Sequence, residues 1–440
     1  METNAMSDSR DRTFAKKFLF AFLAAIALVI GFNFAIDPYF CYRKSGLMWF
    51  FSFDQTTSPA WNYGLVKQGR GYDAIWVGSS LSTHMDVNYL NERMGVNCLP
   101  AIQASGRPNL YEKFITNARK KNDLKYVFYE TCLPHWCFGR LEGLEFDESF
   151  IPEYIKTDTI LDDWDYLLGR KTTEESLAIV VGFLQLRLGN FFRKKSGGGT
   201  GVSASQAGSI MPENTQYSTR AMSKFIHSDI KYLGYHRASL QSFFQNGQNT
   251  VDRYIIPLLE KNPDVEFIFI IPPTGAIVHS IFYNGGMLGE YMSLAAMLYT
   301  KLLMHPNARI IACDLDRDYN TNTDHYMDAG HYEPSGGKMM VDFIADGKYE
   351  ITAANLVERL QEYMDMAENF EWPFLKRGFV GPQVADLQDK LVALGYDIEL
   401  SGRYDKETEA AVRDFQQKNG IEPDGLAFPE TLKRLAELAD

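Results

Sequence analysis

The longest uninterrupted apolar run covers residues 18–36, FLFAFLAAIALVIGFNFAI, with no charged side chain and a single amide, Asn33. Wound as a helix it rises about 28 Å, close to the hydrocarbon thickness of a bilayer, and predicts one membrane-spanning segment. Four shorter apolar runs follow: 74–77 (AIWV), 126–129 (YVFY), 265–271 (VEFIFII) and 309–312 (RIIA), with a weaker fifth over 97–102. Their hydrophobicity is continuous rather than alternating, as expected of strands covered on both faces. Helical stretches such as 109–121 and 254–261 lie between them. Strands alternating with helices predict an α/β fold with a doubly wound, mostly parallel sheet, whose ligands bind at the carboxyl ends of the strands.

The alternation is interrupted from about 137 to 250, which reads as a helical insertion. Within it, SGGGTGVSASQAGS (196–209) is a flexible loop by composition. The apolar stretch 177–192 is too short, and too interrupted by Arg187, for a second span. It predicts a buried helix, with a helix dipping into the membrane surface as the alternative. Residues 350–369 read as a closing helix, broken by Trp372 and Pro373. Beyond 375 the helical period returns. Val384, Leu387 and Leu391 share one helix face ended by Gly395, Val412 and Phe415 mark a second helix ended by Gly420, and Leu432, Leu435 and Leu438 mark a third. Turns are expected at Ser401-Gly402 and Asp424-Gly425, giving a small three-helix domain over 375–440.

Charge sets the orientation. Arg10, Arg12, Lys16 and Lys17 precede the apolar run, so the positive-inside rule puts residues 1–17 in the cytoplasm and everything after 36 outside. A cleaved export signal is the alternative; an A-x-A site is not evident, and either reading exports the bulk of the chain. The expected address is a bacterial inner membrane crossed once, with the bulk periplasmic. A formal charge of −12 excludes nucleic acid as the partner of the molecule as a whole. The five cysteines cannot all pair within one chain; Cys132 and Cys137 are close enough to bridge, and buried free thiols are the equal alternative. No zinc-ligand spacing is present, and Asp324 and His325 with His331 lack a metal-site pattern, so neither metal nor cofactor is expected.

Candidate chemistry gathers at two strand ends. AIWV runs into Gly78-Ser79-Ser80-Leu81-Ser82, which exposes a serine at the sheet's carboxyl edge, with the N–H groups of a helix start nearby. Following the last apolar strand, Asp328-Ala329-Gly330-His331-Tyr332 sets a carboxylate three residues before an imidazole, the spacing that lets Asp orient His as a general base. His84 and Asp86 are the alternative base and orienter, turned away from Ser80 by the intervening helix start.

Together these words resemble the SGNH/GDSL hydrolase superfamily over roughly residues 63–355. Gly78-Ser79-Ser80-Leu81 stands where the family has Gly-Asp-Ser-Leu, Ala104-Ser105-Gly106 is similar to its second block, and Asp328 with His331 matches its last. The resemblance implies Ser80 as nucleophile, His331 as base and Asp328 as orienter, with an oxyanion held by the Ser80 and Gly106 N–H groups. Where the family carries an asparagine after the third strand, this chain reads Tyr129-Glu130-Thr131, so Asn109 or Thr131 would have to substitute. More narrowly, the chain looks like membrane-anchored members that act on envelope polysaccharides, on the strength of the anchor, Asp37-Pro38-Tyr39 and Ile271-Pro272-Pro273. That implies an esterase or O-acyltransferase domain over 37–370, commonly acting on acetyl groups and, for transfer, served by a membrane-bound acyltransferase partner. The C-terminal segment resembles the peptidoglycan-binding type 1 family through Leu387-Gln388, Leu394-Gly395-Tyr396, Thr408, Ala411-Val412, Phe415-Gln416, Asp424-Gly425 and Thr431, which implies peptidoglycan as a partner. It departs from that family at Ser401, Asp405 and Ala427. The rival reading is a non-catalytic tether between membrane and wall.

Overall fold

A computed structural model describes residues 2–39, 41–42, 59–69, 71–131, 133, 145–148, 151–157, 160–195, 217–224, 226 and 240–439. The expected loop at 196–209 and the Cys132/Cys137 pair lie outside the described residues. The chain divides into two compact units, one made of Met1–Gly71, Asn117–Asn122 and Asp147–Ile210, the other of Tyr72–Thr116, Asp123–Phe146 and Met211–Asp440.

The first unit is helical. Helix α1 covers Glu2–Ile36, and its Thr13–Ile36 portion is long and apolar enough to cross a membrane. α2 covers Pro59–Gln68, α5 Ile160–Leu168 and α6 Arg170–Lys195. Asn33, the one amide of the apolar run, donates to the Leu167 carbonyl and to Thr173 Oγ1, each at 2.8 Å. Asp37 then turns the chain with φ +49°, its carboxylate accepting the N–H groups of Cys41 (2.9 Å) and Tyr42 (3.0 Å) and the Tyr166 hydroxyl (2.8 Å). A short polar side chain that satisfies local N–H groups is what makes a left-handed turn tolerable for a residue other than glycine. The expectation of a buried helix at 177–192 is not met over its described side chains, 177–181 and 184. Ile179 is buried, but Leu177, Val181 and Leu184 are 51%, 49% and 51% exposed along one stripe of α6. Hydrophobicity alone does not bury a side chain when nothing packs on its face.

The second unit holds a six-stranded sheet. β1 (Ala74–Gly78), β2 (Cys98–Ile102), β3 (Tyr126–Glu130), β4 (Glu266–Ile271) and β5 (Ala308–Ala312) are parallel, in the order β2-β1-β3-β4-β5. Residues 350–351 depart from the expected closing helix: β6 (Glu350–Ile351) pairs antiparallel on the β5 edge, and the helix begins only at Leu356. Two residues of strand are too few to leave a period in the sequence. The core strands are covered, with Ala74, Ile75, Trp76, Val77, Val127, Phe128 and Ile268 fully buried. The chain leaves β1 for β2 on one side and returns to β3 on the other, so β1 and β3 flank the switch point where parallel sheets open a crevice. The register pairs Val77 with Tyr129, bringing Gly78 beside Glu130 at the carboxyl edge. Helices in this unit include α3 (Val87–Met94), α7 (Leu240–Thr250), α8 (Ile256–Lys261), α9 (Ala276–Asn284), α10 (Leu288–Leu303), α11 (Pro334–Asp346) and α12 (Leu356–Glu368), while α4 (Pro108–Arg119) belongs partly to each unit.

The C-terminal region is three helices, α13 (Pro382–Ala393), α14 (Lys406–Lys418) and α15 (Pro429–Ala439). Val384, Leu387, Leu391, Val412, Phe415 and Leu435 form its core, while Leu438, expected on the third apolar face, is 42% exposed. Gln388 and Gln416 are buried and play matching parts. Gln388 donates to Thr408 Oγ1 and the Arg403 carbonyl (both 2.9 Å) and accepts the Gly402 N–H (2.8 Å). Gln416 donates to Thr431 Oγ1 (3.2 Å) and the Leu426 carbonyl (2.9 Å) and accepts the Gly425 N–H (2.9 Å). The two glycines sit at φ +64° and +70°. Asp405, one of the departures from the family pattern, caps α14 by accepting the Thr408 N–H.

Candidate active site

The turn after β1 is built around a buried carboxylate. Glu130, the last residue of β3 and 2% exposed, accepts the Ser79 hydroxyl (2.5 Å), the Ser79 N–H (2.9 Å) and the Ser82 hydroxyl (2.6 Å). Trp76 on β1 donates its indole N–H to Ser82 Oγ at 2.9 Å. These bonds pin residues 79 and 82 and leave Ser80, at the start of a 3₁₀ turn over Ser80–Ser82, projecting between them. Gly78 is required for close approach: a Cβ there would meet Ser82 Oγ at 2.3 Å and Glu130 Oε2 at 2.9 Å.

The second loop presents His331. Tyr326 and Tyr332 pair across it, and the Met327 N–H donates to the His331 carbonyl at 2.9 Å. Asp328 folds the loop onto itself, its Oδ1 accepting the N–H groups of Gly330 (2.9 Å) and His331 (2.7 Å). Its Oδ2 lies 2.7 Å from His331 Nδ1, and His331 Nε2 lies 2.9 Å from Ser80 Oγ. The two loops are tied directly, because the buried Tyr332 hydroxyl donates to the Leu81 carbonyl. Ser80, His331 and Asp328, separated by about 250 residues of chain, therefore form one hydrogen-bonded line.

Electrostatics orient that line. Burial acts to raise the Asp328 pKa, but the His331 hydrogen bond and charge, with the two backbone N–H groups, outweigh it and hold the carboxyl below its ordinary range. Burial acts to lower the His331 pKa, but the Asp328 hydrogen bond and charge, joined by the Glu130 charge, raise it overall. An ionised Asp328 accepts, so Nδ1 carries the hydrogen and Nε2 offers its lone pair to the Ser80 hydroxyl. Burial pushes the Glu130 carboxyl up, opposed by its bonds from Ser79 and Ser82 and by the His331 charge.

Other expected residues lie elsewhere. Gly106 is buried beside Tyr111, where a Cβ would meet the ring at 2.6 Å, and its N–H closes a turn onto the Gln103 carbonyl at 2.7 Å. Asn109 exchanges two hydrogen bonds with the Phe146 backbone, at 3.1 and 2.9 Å. The Gly106 N–H and one N–H of the Asn109 amide, both expected as oxyanion donors, thus serve the Gln103 and Phe146 carbonyls. Thr131 donates its N–H to Ile270. The Ser80 N–H, by contrast, bonds to no described residue. His84 meets the Tyr217 hydroxyl at 2.8 Å rather than Ser80, and Asp86 caps α3. Asp324 accepts from Thr219, and His325 lies 3.1 Å from the Tyr319 carbonyl. Sequence reasoning missed Glu130 as the residue that fixes the Ser80 turn. The available signal was a carboxylate closing an otherwise apolar strand, YVFYE.

Residues 380–435 match the family described as "Putative peptidoglycan binding domain". The chain is similar to the N-acetylmuramoyl-L-alanine amidase CwlL of Bacillus licheniformis, 28% identical over 144 residues that cover 30% of this chain and 39% of that protein. It is also similar to a "Probable N-acetylmuramoyl-L-alanine amidase" of the same organism, 42% identical over 65 residues, 14% of this chain and 18% of the relative. It thus spans well under half the length of either. A solved peptidoglycan-binding protein from Clostridioides difficile, in complex with glutamine hydroxamate, is 33% identical over 15% of this chain and 42% of that one, with a TM-score of 0.15. The C-terminal region is a peptidoglycan-binding domain of the type 1 family, and its combination with one N-terminal apolar helix is compatible with a membrane-anchored protein of the cell envelope.

Proposed function

We propose that the chain is a membrane-anchored, SGNH-type serine esterase or O-acyltransferase of the bacterial envelope, held at its glycan substrate by the C-terminal domain. The observation that carries the reading is the Ser80–His331–Asp328 line, at 2.9 and 2.7 Å, on the carboxyl edge of a mostly parallel sheet. Strand order β2-β1-β3-β4-β5 supports the doubly wound arrangement in which such edges bind ligands. Residues 1–17 would face the cytoplasm and the chain after residue 36 the periplasm, a topology supported by the basic residues before the span. The partial likeness to N-acetylmuramoyl-L-alanine amidases supports a wall-directed role.

In this mechanism Ser80 Oγ attacks the acyl carbonyl while His331 Nε2 takes its proton, and Asp328 steadies the imidazolium. The carbonyl oxygen becomes an anion, and the Ser80 N–H, uncommitted among the described residues, is the donor placed to receive it. Collapse breaks the bond to the leaving alkoxide, which takes the proton from His331 and departs as an alcohol, leaving acyl-Ser80. Water, deprotonated by the same imidazole, then releases the acid; a sugar hydroxyl in its place gives transfer, for which a membrane-bound acyltransferase would supply the acyl group.

A second reading, a non-catalytic tether between membrane and wall, draws on one observation: the Gly106 N–H and the Asn109 amide are bonded elsewhere. Turnover of an activated acyl ester by the full chain, beside Ser80→Ala, separates the two. A loss of about 10³-fold or more with an unchanged melting temperature supports the enzyme; equal background rates in both proteins rule out the hydrolase and leave the tether or a transferase that needs its acyl-supplying partner.

A further inference from the structure

A cavity of about 280 Å³ opens beside the Ser80 line within the second unit. Its near wall is Leu81, the residue after Ser80, and Ala329 and Gly330, the residues before His331. From there it runs between α9 and α10, past Val278, Phe282, Met292 and Ala295. α9 starts against the His331 loop, where the Gly275 N–H donates to the Ala329 carbonyl at 3.2 Å, and its residues Val278 and Phe282 line the cavity. The lining is mostly apolar; Thr131, Thr274, three tyrosines, Asp314 and His279 also border it. His279, one turn along α9 and 4% exposed, has no hydrogen-bond partner for either ring nitrogen among the described residues. Asp314, also at the wall, places Oδ2 3.7 Å from His279 Nε2, a charge contact too long for a hydrogen bond, while its Oδ1 accepts the Tyr363 hydroxyl at 2.5 Å.

Acetyl would leave nearly all of this space empty. An apolar cavity of about 150 Å³ holds benzene, so 280 Å³ has room for on the order of ten carbons. A polar ring buried in such a cavity with both nitrogens unmet is costly unless a ligand meets it, and a hydroxyl, both donor and acceptor, can bond either nitrogen. Resting on the esterase reading of Ser80, we propose that the cavity receives the acyl group of the substrate, and that this group is a medium-length aliphatic chain bearing a hydroxyl that bonds His279. The acyl carbonyl would stay at Ser80 while the chain lies along α9.

The test uses the full chain in nanodiscs, with empty nanodiscs as the blank. Turnover of acetyl and octanoyl nitrophenyl esters is measured alongside calorimetric binding of acetate, octanoate and hydroxyoctanoates substituted along the chain. The expected result is a kcat/KM at least about tenfold higher for octanoyl than for acetyl, a ratio that falls about tenfold or more in Ala295→Phe, which fills the cavity. Val278→Phe is the second filling variant should the first not fold. One of the hydroxyoctanoates should bind about tenfold more tightly than octanoate, a preference absent in His279→Leu. Octanoate binding that Ala295→Phe removes, without Ser80-dependent turnover of any ester, would uphold the cavity while sinking the esterase reading. Ser80-dependent turnover of acetyl ester with no gain for octanoyl and no octanoate binding would overturn the cavity proposal while the esterase stands. Equal binding of octanoate and every hydroxyoctanoate would overturn the hydroxyl.

Discussion

Glu130 and Gln388 solve the same problem in two regions of this molecule. Each is a buried polar side chain on a regular element that reaches sideways to fix a turn: Glu130 holds Ser79 and Ser82, and Gln388 holds Gly402, Arg403 and Thr408. In the C-terminal domain the polar groups of the turn are consumed by the clamp, and Gln416 repeats the device around Gly425. At the sheet edge the clamp leaves something over, namely the Ser80 hydroxyl, directed at His331, and the Ser80 N–H. A buried polar network by itself does not mark reactive chemistry; the groups a clamp leaves unpaired or presented do.

The largest effect that sharpens this contrast belongs to Asp328→Asn. The asparagine oxygen can keep the two backbone N–H bonds that shape the loop, so the fold and melting temperature should hold. The imidazole loses the partner that fixes its tautomer, and turnover of an activated ester should fall by about 10³–10⁴-fold. The pH profile should move as well. The base must be neutral, so activity is lost as pH falls through the His331 pKa, which Asp328 and Glu130 hold above its ordinary value. With Asp328 uncharged, the inflection of the residual activity should shift toward lower pH. An unmoved inflection would mean that His331 is not the titrating base.

Next come the two clamps themselves. Glu130→Ala strands the Ser79 N–H and two hydroxyls in a buried setting, which should destabilise the second unit by about 3 kcal/mol. It should also cut turnover by about 10²-fold, because Ser80 is no longer held at His331. Gln388→Ala should cost about 2 kcal/mol in the C-terminal domain, read as an earlier thermal transition, and leave turnover of a soluble ester unchanged. If Gln388→Ala slowed a soluble ester as much as Glu130→Ala, the two regions could not be doing separate work.

What the sequence made legible follows the same division. The core strands were readable because burial on both faces leaves continuous apolar runs, and α13 and α14 because one-sided burial leaves a helical period. Glu130 was unreadable as a clamp because its partners lie about fifty residues away and meet it only through the β1–β3 register. Gly106 and Asn109 looked available for the opposite reason: sequence shows which groups can donate, not that Gln103 and Phe146 already accept from them. Leu177, Val181 and Leu184 looked buried because hydropathy records composition and not coverage. Asp328 and His331 were legible as a pair since their spacing is local, whereas the approach of Ser80 to His331 depends on strand order and on Tyr332 meeting Leu81.

The smallest effect concerns the glycines of the two turns. Gly402 sits at φ +64°, and a Cβ there would touch only Gly381 O at 3.8 Å and Ala385 Cβ at 3.9 Å, both ordinary contacts. Gly402→Ala should therefore cost only the left-handed backbone term, about 1 kcal/mol, seen as a small downward shift of the C-terminal transition. Gly78 lacks the left-handed φ but has no room, with Ser82 Oγ at 2.3 Å and Glu130 Oε2 at 2.9 Å from the added carbon. Gly78→Ala should consequently disturb turnover more than stability, because the atoms forced to move are those that hold the Ser80 turn. Equal losses of stability from both substitutions, with turnover untouched, would show that the sheet-edge turn tolerates displacement of its clamp, and the distinction between a turn that only folds and a turn that presents a nucleophile would fail at Gly78.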